Sequence, residues 1–327
     1  MCGIAGFIAL QAHDWNVDCA NRMAQAINHR GPDDSGVWCD QSRRVNLAHA
    51  RLAIVDLSPE GHQPMASPSR RYSMVFNGEI YNFNKLRTEL VALGCRFRGH
   101  SDTEVLLNGF DTWGVKATIQ KSVGMFAIAL WDEAEQRLSL IRDRVGEKPL
   151  YYGTVNGALV FASELKAIKE FPGFCADVNR DSLALMMRHN YIPAPHTIYQ
   201  GFYKLPAASI LSVSVEQPQQ WHVSTYWDFD SVVATGTSDR SQASDTELVD
   251  ELDQVLRQSI SEKMLADVPL GAFLSGGFDS TAVVALMQSM SDVPVNTFTI
   301  GFNEEGYNEA EHAKAVARHL GTNHTEL

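Results

Sequence analysis

The sequence predicts two architectures in series: an α+β part of short strands with a few helices, followed by an α/β part built on a parallel sheet. Three observations predict it. Roughly the first two thirds carry short apolar runs bounded by Gly, Asn or charged turns, the pattern of half-buried and buried strands. Residues 216–245 are polar and turn-rich, as a linker would be. The remainder alternates strand and helix patterns, the rhythm of a parallel sheet with helices on its faces. A length of 327 residues suits two cores, because single cores usually stop growing near ~250–300 residues.

Taken in order, residues 74–76, 126–131, 138–141 and 159–161 are the clearest strands of the first part. Ser101-x-x-Glu104 has the form of a capping box, placing Asp102 in the first turn of a helix that begins beside a loop. The predicted linker, 216–245, holds Trp221, Tyr226, Trp227 and Phe229, so part of it is expected to pack on a domain. Ser244-x-x-Glu247 is a second capping box, opening a helix with Leu248, Leu252, Val255, Leu256, Ile260 and Met264 along one stripe. Residues 268–274 then read as a buried strand, 281–290 as a helix, 295–300 as a strand, and 308–320 as a helix stopped by Gly321. A third strand begins at about Thr325, and no internal repeat is visible.

Composition narrows the function. Apolar residues make up 45% and charged residues 20%, as in an ordinary soluble protein. There is no apolar run of ~18 residues and no N-terminal signal pattern, so no membrane is expected and the cytoplasm is the default. Five cysteines without CxxC pairs or His/Cys metal spacing indicate neither a disulfide framework nor a zinc site. A formal charge of −12 argues against nucleic acid as a partner, since phosphate neutralisation needs basic patches. Small polar substrates remain.

Four segments carry chemistry. Removal of Met1 would make Cys2 the N-terminus, giving one residue both a thiol and an α-amine of pKa ~7.7–8.0 that can take its proton. A Met-Cys start is also a common accident, the cysteine then serving as a small apolar residue. Leu274-Ser275-Gly276-Gly277-Phe278-Asp279-Ser280 lies between a predicted strand and helix, where backbone N–H groups and the helix end can cradle phosphate oxygens. It is neither GxxxxGK[ST] nor GxGxxG. Asn77-Gly78-Glu79 follows a strand, so the Asn77 amide and the Gly78 N–H could form an oxyanion hole; Asn-Gly is equally the commonest hairpin turn. Arg51 interrupts an apolar segment and calls for a carboxylate, supplied either by a ligand or by a structural salt bridge. His29-Arg30-Gly31-Pro32-Asp33-Asp34 reads only as a loop.

Together the segments MCGIAGF, HRGPDDSG, AHARLAIVDL, FNGEIYNF, SDTEVLL, GMFAIALWD, RDRVGEKPLYYG, FASELKAI, DVPLGAFLSGGFDS and FTIGF resemble, in this order, the glutamine-hydrolysing asparagine synthetase family. The resemblance implies an N-terminal-nucleophile αββα sandwich over residues 2–215, a linker over 216–245, and over 246–327 an incomplete nucleotide-binding synthetase domain. It implies that Cys2 attacks the glutamine carboxamide, that Asn77 and Gly78 hold the oxyanion, and that Arg51, Glu79 and Asp102 grip the amino-acid end. Leu274, Ser275, Gly276, Gly277, Asp279, Ser280 and Ile300 would bind ATP, with Mg²⁺ as a companion and Asp279 its one candidate ligand. Ammonia would then pass internally to an aspartate activated as its acyl-adenylate. Glutamine, aspartate and ATP are the implied small-molecule partners, and a homo-oligomer is left open.

The family's second domain normally runs well past residue 327. The expectations that compete are therefore a synthetase, an amidotransferase for another carboxylate such as a sugar acid, and a glutamine hydrolase with a vestigial second domain. Over the residues given, glutamine hydrolysis is expected without asparagine formation.

Overall fold

Strand β1 (Gly3–Ala9) is buried along its whole length because it runs through the middle of a sheet covered on both faces. Strands β2 (Asp34–Cys39) and β3 (Val45–Arg51) form a hairpin, and β3 pairs antiparallel with β1 from Gly3↔Ala50 to Ile8↔Val45. The chain then builds a second sheet from β4 (Met65–Ala66), β5 (Tyr72–Ile80), β6 (Gly124–Asp132) and β7 (Arg137–Arg142). It returns to the first with β8 (Tyr151–Val155), β9 (Ala158–Ala162) and β10 (Phe202–Lys204), and to the second with β11 (Ser209–Ser214) and β12 (His222–Thr225). The orders are β10-β8-β9-β1-β3-β2 and β12-β11-β7-β6-β5-β4.

Alternation along these strands makes the layers. Ile4, Ile8, Leu47, Val75, Trp131, Leu140 and Phe161 meet between the two sheets. The opposite face of the first sheet, with Phe7, Ala48 and Val160, receives Met23 and Ile27 from and beyond α1 (Val17–Ala26). Helices α2 (Phe83–Ala92), α3 (Asp102–Trp113) and α4 (Val115–Lys121) bury Leu86, Leu90, Leu106, Phe110 and Ile119 against Met74, Phe76 and Ile128 of the second sheet. The short α5 (Leu165–Lys169) joins α1 on the first sheet through Ala167 and Ile168. The result is an αββα sandwich. Helix α6 (Arg180–His189) follows, capped by the Asn179 side chain on the N–H groups of Asp181 and Ser182.

This computed structural model describes residues 2–11, 15, 17–42, 44–216, 220–302, 304 and 308–327, and the chain divides into two units, Met1–Ala234 and Thr235–Leu327. The segment read as a linker is partly structured. Within 216–245, β12 pairs with β11, Tyr226 is buried with its hydroxyl donating to the Arg142 carbonyl at 2.9 Å, and α7 (Phe229–Ser238) forms. Residues 239–243 are irregular, with 239–242 exposed.

In the second unit, α8 (Asp245–Lys263) begins at a complete capping box, Ser244 accepting from the Glu247 N–H while Glu247 accepts from that of Ser244. The first box is one-sided: Ser101 accepts from the Glu104 N–H, but the Glu104 carboxylate turns to the N–H groups of Arg98 and Gly99. Strands β13 (Gly271–Phe273), β14 (Asn296–Thr299) and β15 (Asn323–Glu326) make a parallel three-stranded sheet, joined by α9 (Phe278–Ser289) and α10 (Ala310–Leu320). Two expectations are corrected here. Residues 268–274 yield a three-residue edge strand with Phe273 81% exposed, since β14 pairs with one side of it alone. Of the α8 stripe, Ile260 is buried against Met287 and Val295 and Met264 packs beside them, whereas Leu248, Leu252, Val255 and Leu256 stay exposed. No helix among the described residues is long and apolar enough to cross a membrane.

Candidate active site

The parity that fills the space between the sheets also decides what enters it at one end. Cys2 shares parity with Ile4 and Ile8, Arg51 with Val45 and Leu47, and Asn77 and Glu79 with Val75. Because β1 starts where β3 ends, these side chains converge. They line a pocket of ≈ 230 Å³ together with Gly78, with Ser101, Asp102 and Thr103 from the start of α3, and with Lys148.

Cys2 is half-buried, its Sγ accepting from the Leu52 N–H at 3.3 Å and lying 3.4 Å from the Leu52 carbonyl. Burial pushes the thiol pKa up; the Leu52 hydrogen bond and the Arg51 charge pull it back, and the Asp102 charge adds to the rise. Its backbone is fixed by Arg30, whose Nε donates to the Cys2 carbonyl at 2.9 Å and whose Nη1 donates to Glu164 at 2.9 Å. His29 and Lys166 reach the same Glu164 carboxylate, so the loop of residues 28–33 is tied down where the first strand begins.

Asn77 and Gly78 do not form a hairpin turn. They lie inside β5, opposite Ala127 and Phe126 of β6. Gly78 is required there sterically, since a Cβ would stand 2.2 Å from the Met125 carbonyl oxygen. The Asn77 side chain is 1% exposed, and its Nδ2 has no hydrogen-bond partner. Alternate residues of an antiparallel strand turn their N–H groups to opposite sides. The N–H of Phe76 goes to Gln63 Oε1 at 2.7 Å and that of Ile80 to Asp102 Oδ2 at 2.9 Å, so the Gly78 N–H between them faces the pocket. The Asn77 Nδ2 and the Gly78 N–H thus belong to residues that line one pocket with Cys2.

Charges of both signs complete the wall. Arg51 is buried without a carboxylate among the described residues: its guanidinium donates to the carbonyls of Ser58, at 3.2 Å, and Asp56. The structural salt bridge considered from the sequence is therefore absent there. Burial raises the Glu79 pKa while the Lys148 charge lowers it; conversely, burial lowers that of Lys148 while Glu79 raises it. Asp102 is pushed up to about 7 by burial, opposed by the Ile80 N–H and reinforced by the neighbouring Glu79 charge.

Four residues of this end went unread in the sequence. Arg30, His49 and Lys148 lie inside segments that carried the resemblance, and His49 shares strand parity with Arg51, which was the available signal. Gln63 offered none. In the second unit, the Ser275 and Ser280 hydroxyls are 2.9 Å apart, the Gly277 N–H donates to Ser275 Oγ at 3.3 Å, and Gly277 caps α9, with Asp279 in its first turn. Leu274 is buried and Ile300 exposed. No cluster of three or more His, Cys, Asp or Glu side chains able to hold a metal occurs among the described residues.

Comparison with known proteins places the chain in a family. The family profile described as glutamine amidotransferase domain matches residues 1–227, and that described as asparagine synthase matches residues 251–327. A putative glutamine-hydrolysing asparagine synthetase of Mycobacterium tuberculosis is 36% identical over 99% of this chain and 51% of its own length. Asparagine synthetase 3 of Bacillus subtilis is 33% identical over 93% of this chain and 48% of its own length. The chain spans about half the length of these curated relatives. Among solved structures, a glutamine phosphoribosylpyrophosphate amidotransferase from B. subtilis covers 99% of this chain and 65% of its own at 16% identity, with a TM-score of 0.52, a likeness of fold. The chain belongs to the glutamine amidotransferase domain family, with a partial asparagine synthase domain following that domain in the same polypeptide.

Proposed function

We propose that the first unit hydrolyses glutamine and that the ammonia serves the amidation of a carboxylate. The observation that carries this reading is the buried, unpartnered Asn77 amide set with the Gly78 N–H in the pocket that holds Cys2. With Met1 removed, the Cys2 α-amine takes the thiol proton as sulfur attacks the glutamine carboxamide carbon. Asn77 and Gly78 donate to the oxyanion, and the tetrahedral intermediate collapses by expelling ammonia, which carries that proton away. Water then cleaves the thioester to release glutamate and restore the thiol. Arg51 holds the substrate carboxylate, and Glu79 and Asp102 hold its ammonium. Cys2→Ala should abolish glutamate release, as should an extra residue retained ahead of Cys2. Normal hydrolysis by such an extended protein would exclude the amine as base.

For the second unit, the match to asparagine synthase and the names of the relatives support ATP-dependent activation of aspartate. Ser275, Gly276, Gly277 and Ser280 would bind phosphate oxygens, with Leu274 and Ile300 nearer the nucleoside. Asp279, in the first turn of α9, would meet Mg²⁺ carried in with the nucleotide. Aspartate-dependent pyrophosphate release tests the acceptor, and release that requires a different carboxylate would replace aspartate by it.

A further inference from the structure

We propose that His49 and Gln63 are positioning residues, gripping the Phe76 peptide groups so that the Asn77 amide and the Gly78 N–H are aimed at the developing oxyanion; this rests on the glutaminase reading above. Strand β4 begins at Met65, opposite Met74, so β5 from Val75 onward has no strand on that side. The edge is nevertheless buried. Its first outward-facing groups there belong to Phe76: the N–H donates to Gln63 Oε1 at 2.7 Å, and the carbonyl accepts from His49 Nε2 at 3.1 Å. Both partners are buried side chains, His49 at 0% exposure and Gln63 at 5%.

The tautomer follows from the acceptor. A carbonyl can only accept, so Nε2 carries the hydrogen and Nδ1 presents a lone pair. Nδ1 has no partner, and burial pushes the imidazole pKa down to about 4, which keeps the ring neutral at neutral pH. A leucine at this position would remove the orphaned Nδ1 but leave the buried Phe76 carbonyl without its donor, so the histidine is explained by the bond that Nε2 makes. Gln63 does more than close an edge. Its Nε2 donates to Thr103 Oγ1 at 3.3 Å, tying the same peptide to the turn that carries Asp102, and Asp102 takes the Ile80 N–H. Residues 77–79 are therefore held on both sides, at 76 and at 80. Oxyanion donors act by being set before charge develops, so a grip of this kind belongs in kcat rather than in KM.

The test is steady-state glutamine hydrolysis by the full chain carrying His49→Leu, His49→Gln, Gln63→Met and Asn77→Ala, alone and combined. Iodoacetamide alkylation of Cys2, which needs no oxyanion hole, is followed in parallel. His49→Leu and Gln63→Met should each lower kcat about tenfold or more with KM within about twofold and the alkylation rate unchanged. His49→Gln, which keeps a donor, should recover part of the loss. In the Asn77→Ala background, His49→Leu should cost less than it does alone, because one of the two donors that it positions is already removed. Should His49→Leu fail to fold, Gln63→Met carries the same expectation. Full kcat in a folded variant, or losses that multiply with Asn77→Ala, would overturn the positioning role. If Cys2→Ala or Asn77→Ala left hydrolysis intact, the glutaminase reading itself would fall instead.

Discussion

A Cβ on Gly61 would stand 2.0 Å from Nη2 of Arg51, so this glycine decides where the guanidinium lies. Gly61→Ala should displace it, raising the KM for glutamine by about tenfold with kcat nearly kept, as for loss of a remote binding contact. Asn77→Ala should do the reverse, lowering kcat roughly 10²–10³-fold, the usual cost of one oxyanion donor. Asp102 supplies a pH signature. It keeps its proton up to about 7 in the fold, whereas an unfolded chain releases it near ~3.9. Between those values the folded state binds more protons, so this group's contribution to stability falls as pH rises through the window. Asp102→Asn should remove that slope, read from urea midpoints at a series of pH values; an unchanged slope would remove Asp102 as its source. Ammonium recognition needs the ionised carboxylate, so glutamine binding by the unsubstituted protein should tighten as pH passes about 7.

Elements differ in how far the sequence exposes them. The strands around 74–76, 126–131, 138–141 and 159–161 were legible because apolar runs end at turn residues, and the convergence of Cys2, Arg51, Asn77, Glu79 and Asp102 was legible through resemblance. Asn77-Gly78 could not be separated from a hairpin turn by local pattern, because what distinguishes them is pairing with β6, some fifty residues on. The α8 stripe shows the converse: periodicity predicts a face, and tertiary neighbours decide whether it is covered. The loop after β7 was unread for a similar reason. Asp143 is fully buried and its carboxylate accepts from the N–H groups of Phe126, Val145, Glu147 and Lys148, which delivers Lys148 to the pocket. Asp143→Ala would strand four donors at roughly 1–3 kcal/mol for each one left buried, so thermal denaturation should show a loss of several kcal/mol. Near-normal stability would mean that water replaces the carboxylate.

For the whole molecule, the division after Ala234 leaves every residue of the Cys2 pocket in the first unit. Limited proteolysis should cut the exposed stretch at 239–242, and the N-terminal product should still release glutamate at about the parent rate; loss of activity on cleavage would show that the pocket depends on the second unit. The short β4 has a consequence for how this sandwich behaves in a crowded solution. An unpaired strand edge is ordinarily a template for another chain, and proteins blunt such edges with charge, proline or covering segments. Here the edge beyond Met74 is turned inward and capped by Gln63, His49 and Asp102, with the Gly78 amide left open to the pocket. The feature that elsewhere seeds aggregation is thus confined to a cleft too small for a strand but large enough for an amino acid, and the same backbone group that would recruit a neighbour is left to recruit an oxyanion.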